Sequence, residues 1–193
     1  MYMKISDFIL DLQEFVMAIN ARKRIQLLLR YILVTDGDII LDVGGNTGKI
    51  TEGYARNCKE VVVLEPKQKV ADYGRIHRPY IRFVQGEAEN IPFPQEYFNK
   101  IIASFSFHHF PNQDRSLEEM KRVLKLNGML VIVESDPTTS KGKGLKLCET
   151  LLRTGAKFYT PLELKEKVER CGLHVTSVDP TSIGYFLTAT KDT

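Results

Sequence analysis

The sequence predicts an α/β domain, doubly wound around a seven-stranded, mostly parallel sheet, with two helices ahead of its first strand. Three observations lead there. Short runs rich in Val and Ile alternate with amphipathic stretches of helix length, the pattern of βαβ units rather than of a sandwich or a bundle. Most of those runs are apolar on both faces, as parallel strands covered by helices on each side must be. The chain has 193 residues, 43% of them hydrophobic, and one core serves a chain of up to about 250 residues. A single domain over 1–193 is expected, with 1–34 as a helical cover and 35–193 as the α/β core.

Taken in order, apolar residues from Phe8 through Leu12, Phe15, Ile19, Ile25 and Leu28 recur at helical spacing, which gives two helices before the turn at Gly37. The first strand is Asp38 to Val43. A helix from Lys49 to Asn57, a strand from Glu60 to Leu64, a helix from Lys67 to His77 and a strand from Ile81 to Gln85 come next. Lys100 to Ser104 is the fourth strand. Leu117, Met120, Val123 and Leu124 then mark a helix from Asp114 to Lys125, before a fifth strand from Met129 to Glu134. The stretch 136–159 reads as a short insertion, a basic loop through Lys141, Lys143 and Lys146 leading into a helical piece that ends near Arg153. Thr160, Pro161 and Glu163 form a capping box with proline in the first turn, so a helix runs from there to Gly172. Leu173 to Val178 and Ile183 to Thr190 close the chain as two strands joined at Asp179 and Pro180.

Composition excludes several classes. Cys58, Cys148 and Cys171 are odd in number, widely spaced and form no CxxC, so neither a disulfide framework nor a zinc site is expected. They read as structural thiols in a reducing cytoplasm. No apolar run approaches the ~20 residues that cross a bilayer, so no membrane span is expected. The formal charge of +3 is too small a bias to call for nucleic acid or another polyanion.

The chemistry concentrates at strand ends. Asp42-Val43-Gly44-Gly45-Asn46-Thr47-Gly48 joins the first strand to the helical stretch at Lys49, at the place where open α/β sheets bind ligands. The spacing fits neither a dinucleotide G-x-G-x-x-G, which would need glycines where Asn46 and Lys49 stand, nor a phosphate loop, because Ile50 takes the hydroxyl position. A carboxylate beside the turn repels pyrophosphate and suits a ligand carrying an ammonium or sulfonium. Glu65-Pro66 ends the second strand, where an acidic side chain can accept both hydroxyls of a ribose. After the third strand, Glu87 is placed to accept from an exocyclic amine, and Ile91-Pro92-Phe93-Pro94 is a rigid apolar turn able to flank a flat base.

Five ordered segments, DVGGNTG, LEP, GEAENIPF, FHHF and LKLNGML, resemble the class I S-adenosylmethionine-dependent methyltransferases, specifically the type 11 group that includes ubiquinone and menaquinone methylases. The resemblance spans roughly residues 38–191. It implies a Rossmann-like methyltransferase fold with one antiparallel strand, S-adenosyl-L-methionine as cofactor and a small-molecule methyl acceptor. It also implies roles: Asp42, Gly44, Gly45, Asn46 and Gly48 hold the methionine part and frame the ribose, and Glu65 with Pro66 binds the ribose hydroxyls. Glu87 and Ala88 meet the adenine; Ser104 and Phe105 face the methyl group. Asn46 stands where the family has its second glycine, and because Asn tolerates a left-handed backbone the turn should survive.

His108 and His109 have two readings, a structural cap holding backbone groups around Pro111, or catalytic imidazoles at the methyl-transfer face. No third ligand is apparent beside them, so no metal is expected. The acceptor pocket is expected under a roof made by the segment around Tyr2, Phe8 and Leu12 and by 136–159, with the histidine pair at its floor. Two alternatives stay open: a catalytically silent cofactor-binding or regulatory module, and a nucleic-acid or protein methyltransferase. FSFHHF lacks the N/D-P-P-Y/F signature of base amino methylation, which counts against the latter.

Overall fold

A computed structural model describes residues 21–192 of the chain. Helix α1 (Ala21–Ile32) leads into β1 (Ile39–Val43), and two short 3-10 turns precede β2 (Glu60–Glu65). Then come α2 (Gln68–His77), β3 (Arg82–Gln85), β4 (Phe98–Ser104), α3 (Gln113–Val123), β5 (Leu124–Glu134), α4 (Ser140–Leu151), α5 (Pro161–Arg170), β6 (His174–Thr181) and β7 (Gly184–Thr190). The seven strands form one sheet in the order β3-β2-β1-β4-β5-β7-β6. β1 to β5 pair in parallel, and β7 runs antiparallel to both of its neighbours. The order reverses between β1 and β4, and that reversal opens a crevice at their carboxyl ends.

The double winding results from the period-2 alternation of the strands. Leu41, Val43, Val62, Leu64, Ile101, Ala103, Leu130 and Ile132 point to one face and pack with Leu117, Met120 and Val123 of α3 and Leu164 and Val168 of α5. Ile40, Val61, Val63, Ile102, Val131 and Val133 point to the other and pack with Leu28 and Ile32 of α1, Tyr54 and Ala71. Every central strand is therefore buried on both sides. No described helix is long and apolar enough to cross a membrane.

The structure corrects several sequence expectations. The stretch 49–57 forms 3-10 turns at Thr51–Gly53 and Ala55–Asn57 instead of one α-helix. Gly53 lies hard against α1, where an added Cβ would meet Ile25 at 2.4 Å, and the hydroxyls of Thr51 and Tyr54 are drawn to Asp42. Helix α3 ends at Val123 because Leu124, which keeps the helical spacing from Met120, pairs instead with Phe98 across a bulge. The basic loop at Lys141 and Lys143 is the first turn of α4, capped by Thr139. Gly142 is required there, since a Cβ would sit 1.8 Å from the carbonyl oxygen of Asp136. The β6–β7 turn lies at Ser182 and Ile183, with Thr181 opposite Gly184. Pro180, expected in the turn, is inside β6, an edge strand where its missing N–H costs no ladder bond. The turn Ile91–Pro94 sits against α3, Arg122 donating to the carbonyls of Ile91 at 2.9 Å and Phe93 at 2.8 Å, so it serves the core. Cys58 and Cys171 are half-buried and Cys148 is exposed. The first of the two expected N-terminal helices falls outside the described residues.

Candidate cofactor and acceptor site

A cavity of about 790 Å³ lies over the carboxyl ends of β1, β2, β3 and β4. Of the eleven residues expected to hold a cofactor, Asp42, Gly44, Gly45, Asn46, Glu65, Pro66, Glu87, Ala88, Ser104 and Phe105 line it. Gly48 does not. It sits at φ 80° with Phe83 where a Cβ would go, 2.8 Å away, so it shapes the turn from behind.

The turn is held by its own backbone and by neighbours on β2, in the segment after β4 and at the end of α2. The Gly44 N–H donates to Leu64 at 2.8 Å, the Ser106 hydroxyl donates to the carbonyl of Val43 at 2.7 Å, and buried Arg78 donates to the carbonyl of Thr47 at 3.0 Å. Gly44 is left-handed at φ 71°, and a Cβ there would strike Ser106 at 2.7 Å. Asn46, at φ 55°, adopts the conformation a glycine would otherwise supply, and its side-chain oxygen accepts the Thr47 N–H at 2.8 Å. Gly45 brings the chain against Asp42, with a Cβ position 2.8 Å from its carboxyl carbon.

Asp42 is 2% exposed. Oδ2 accepts from Thr51 at 2.6 Å and from Tyr54 at 2.7 Å, whereas Oδ1 has no hydrogen-bond partner. Burial raises the pKa of this carboxyl above the usual aspartate value, against the pull of the two hydroxyls. Glu65 is likewise buried at the end of β2. Its Oε1 accepts the Lys67 N–H at 3.1 Å, and burial, partly offset by backbone bonds from Lys67 and Asn46, raises its pKa.

On the far side of the cavity, Phe105 is left-handed at φ 54° directly after β4, a strained conformation for a bulky residue. Arg24 of α1 lies over its ring at 4.6 Å and shares the cavity wall, and burial lowers the Arg24 pKa. Thr154, just past α4, also lines the cavity. The insertion thus reaches the site, while the expected roof around Tyr2, Phe8 and Leu12 lies outside the described residues.

The histidine pair separates. His109 lines the cavity, and desolvation together with the charge of His108, the smaller effect, lowers its pKa. His108 is 4% exposed and does not line it, stacked on Phe158 at 4.6 Å with Nδ1 bonded to Glu134 at 2.7 Å. Its role as a structural anchor is directed at Glu134 and not at the backbone around Pro111, whose neighbour Gln113 makes the bonds to the carbonyls of Phe107 and Lys157. Sequence reasoning missed Thr51, Tyr54, Arg24, Glu134 and Glu149. The first two had a signal, since hydroxyls nine and twelve residues beyond a strand-end aspartate can fold back onto it; the others are brought in by tertiary packing alone.

Comparison with known proteins agrees with this geometry. Residues 41–132 match the family described as methyltransferase domain, type 11. The chain is 29% identical over 154 residues to a demethylmenaquinone methyltransferase of Thermotoga maritima, covering 79% of this chain and 66% of that protein. It is 35% identical over 109 residues to the ubiquinone/menaquinone biosynthesis C-methyltransferase UbiE of Vibrio parahaemolyticus, covering 51% of this chain and 41% of that one. The chain therefore spans between about two fifths and two thirds of the length of these relatives. In structure it matches a chain in the Haloferax volcanii complex of the Trm112 methyltransferase activator with a methyltransferase, at TM-score 0.83 and 15% identity, over 95% of both chains. The strands and turns that build the cavity thus fall within the stretch similar to methyltransferase domains, and the sheet is shared with solved structures of that fold.

Proposed function

We propose that the protein moves a methyl group from S-adenosyl-L-methionine to a small-molecule acceptor, as one domain whose cover is supplied by 1–34 and 136–159. The observation that carries this is the unpartnered, buried Oδ1 of Asp42 on the wall of the cavity. A buried acceptor without a donor is costly, and a cationic ammonium from the ligand would satisfy it. An anionic pyrophosphate would aggravate it. The glycine cradle agrees, since Gly44 and Gly45 leave no room for a Cβ and let the ligand lie against backbone.

The ligand fits the residues present: Asp42, Gly44, Gly45 and Asn46 take the methionine part, Glu65 and Pro66 the ribose, Glu87 and Ala88 the adenine. When bound, it supplies an electrophilic methyl on a sulfonium whose departing sulfur becomes neutral. The protein's work is alignment and exclusion of water. Phe105, Arg24 and Ser104 wall the methyl side, and His109 and Thr154 also line the cavity. The relatives named for demethylmenaquinone and ubiquinone make a hydroxylated aromatic ring the first acceptor to try. The three free thiols suit a reducing, cytoplasmic setting.

Calorimetry with S-adenosylmethionine, its demethylated product, NAD and ATP tests the cofactor. The first two should bind and the others should not; NAD binding with no response to S-adenosylmethionine would overturn the proposal. Methyl transfer from isotopically labelled cofactor into a cell extract then identifies the acceptor.

A further inference from the structure

Helix α4 brings an unexpected side chain to the histidine pair. Donor atoms of His108, His109 and Glu149 all lie within 4.8 Å of one another. Oε2 of Glu149 is buried and has no hydrogen-bond partner, although α4 is otherwise mostly exposed. Nδ1 of His108 is already bonded to Glu134, leaving Nε2 as the nitrogen free for a ligand. Two imidazoles, one unsatisfied carboxylate oxygen, and a second carboxylate fixing the first imidazole make up a donor set with its outer support. Metal-bound histidines almost always give their other ring N–H to such a group.

We propose that His108, His109 and Glu149 hold a divalent transition-metal cation of the Zn²⁺, Fe²⁺ or Co²⁺ kind. The donor types decide the class: imidazole nitrogen with a single carboxylate suits these ions, whereas Mg²⁺ and Ca²⁺ take oxygen. Bonds of about 2.0–2.1 Å place tetrahedral donors roughly 3.4 Å apart. Donors already within 4.8 Å need only side-chain rotations, and His109 is exposed where His108 is buried. Three protein ligands leave coordination positions open.

His109 belongs both to this group and to the cavity wall, so the cation stands at the acceptor end of the cavity. A hydroxyl of the acceptor that joins it gives its proton to solvent and keeps the electron pair on oxygen, because the cation lowers the pKa of bound O–H groups. This role toward the acceptor rests on the methyl-transfer proposal above; cation binding does not.

The test is titration of the purified full-length chain with Co²⁺, read by visible absorption and calorimetry in the absence of cofactor. One equivalent should bind with the spectrum of a four- or five-coordinate nitrogen and oxygen site. His109→Ala and Glu149→Gln, neither of which removes a fully buried side chain and both of which should keep the melting temperature, should each weaken binding by about tenfold or more. Glu134→Gln, a change at the positioning residue, should weaken it about tenfold. No saturable binding, binding unchanged in both ligand variants, or a thiolate charge-transfer band placing the ion on the exposed Cys148 would each overturn the proposal. Because cofactor calorimetry is measured separately, a protein that binds Co²⁺ but not S-adenosylmethionine keeps the metal site and loses the methyl-transfer proposal, and the reverse result does the opposite.

Discussion

Tyr54 donates its phenolic hydroxyl to Oδ2 of Asp42 at 2.7 Å, deep beneath the glycine turn, while the other oxygen of the same carboxylate is left without a partner. The fold thus satisfies one oxygen of the carboxyl group and leaves the other unpaired. Burial raises the folded-state pKa of Asp42, so its favourable contribution is complete below the unfolded pKa and is lost as pH rises through the folded one. Ionising this group weakens the ligand-free fold. Asp42→Asn should therefore leave the melting temperature of the free protein unchanged or higher, while cofactor affinity falls about tenfold or more. Thermal melts with and without S-adenosylmethionine check both halves; a lower melting temperature with unaltered affinity would contradict them.

Tyr54→Phe should act in the opposite sense. It removes a bond to a buried charge and leaves Thr51 alone on Oδ2, a loss of about 1–3 kcal/mol, or a few degrees in melting temperature for each kcal/mol at this chain length. In the double variant with Asp42→Asn the cost should shrink, since the two side chains are in direct contact. Denaturant melts of the four proteins in the cycle measure this.

Glu65→Ala should weaken cofactor binding about tenfold or more with little change in stability, because charge-assisted bonds to two ribose hydroxyls are worth about 1.5–3 kcal/mol each. The raised pKa of Glu65 also sets a pH dependence. The carboxylate is the accepting form, so affinity should decline as pH falls through a midpoint above the usual glutamate value, and binding near that midpoint should release protons. Calorimetry in buffers of different ionisation enthalpy reads the release, and its absence would remove Glu65 from the ribose site.

Gly45→Ala should abolish measurable cofactor binding while the protein still folds. The new methyl would fall 2.8 Å from the Asp42 carboxyl carbon and 3.1 Å from Val63, displacing the carboxylate from the cavity wall. Asn46→Gly, at a position already left-handed, is the matching control and should change affinity little.

The two histidines should divide in a mutational test. His108→Ala removes a buried ring together with its bond to Glu134 and should cost about 2–4 kcal/mol of stability. His109→Ala, on the cavity wall, should leave stability nearly unchanged and lower turnover. Unfolding curves and turnover assays on the pair distinguish anchor from participant.

That ten of the residues expected to hold a cofactor would meet at one cavity was legible in the sequence because they come in short contiguous segments, each fixed to a strand end by hydrophobic period. Asp42, Glu65 and Ser104 need only their strands to be found in order for their positions to be known. On the acceptor side the insertion 136–159 and the histidine pair were expected, and Thr154 and His109 do line the cavity, but the side chains that β5, α1 and α4 bring together there were not legible, because no local pattern encodes their mutual placement. Glu134 was seen only as the end of a strand, and Glu149 only as part of a helical piece. Where the helical period itself misled, at Lys49–Asn57 and Leu124, side chains had stronger partners elsewhere: Asp42 for Thr51 and Tyr54, Phe98 for Leu124. The glycines at 142 and 144 disguised the start of α4, since a propensity argument cannot foresee a carbonyl that leaves no room for a side chain.

The place of β7 has a consequence for how the chain is made. It is the last strand of the sheet in chain order, yet it lies between β5 and β6. During synthesis the open edge of β5, with Val131, Ile132 and Val133 in its middle, has no neighbour on that side until the residues from Gly184 onward have emerged. The same exposed ladder would face solvent in any product cut before that glycine, and unpaired apolar edges recruit other chains. Cleavage before Gly184 would thus bare that ladder and favour self-association while leaving the residues that line the cavity, all earlier in the chain, untouched.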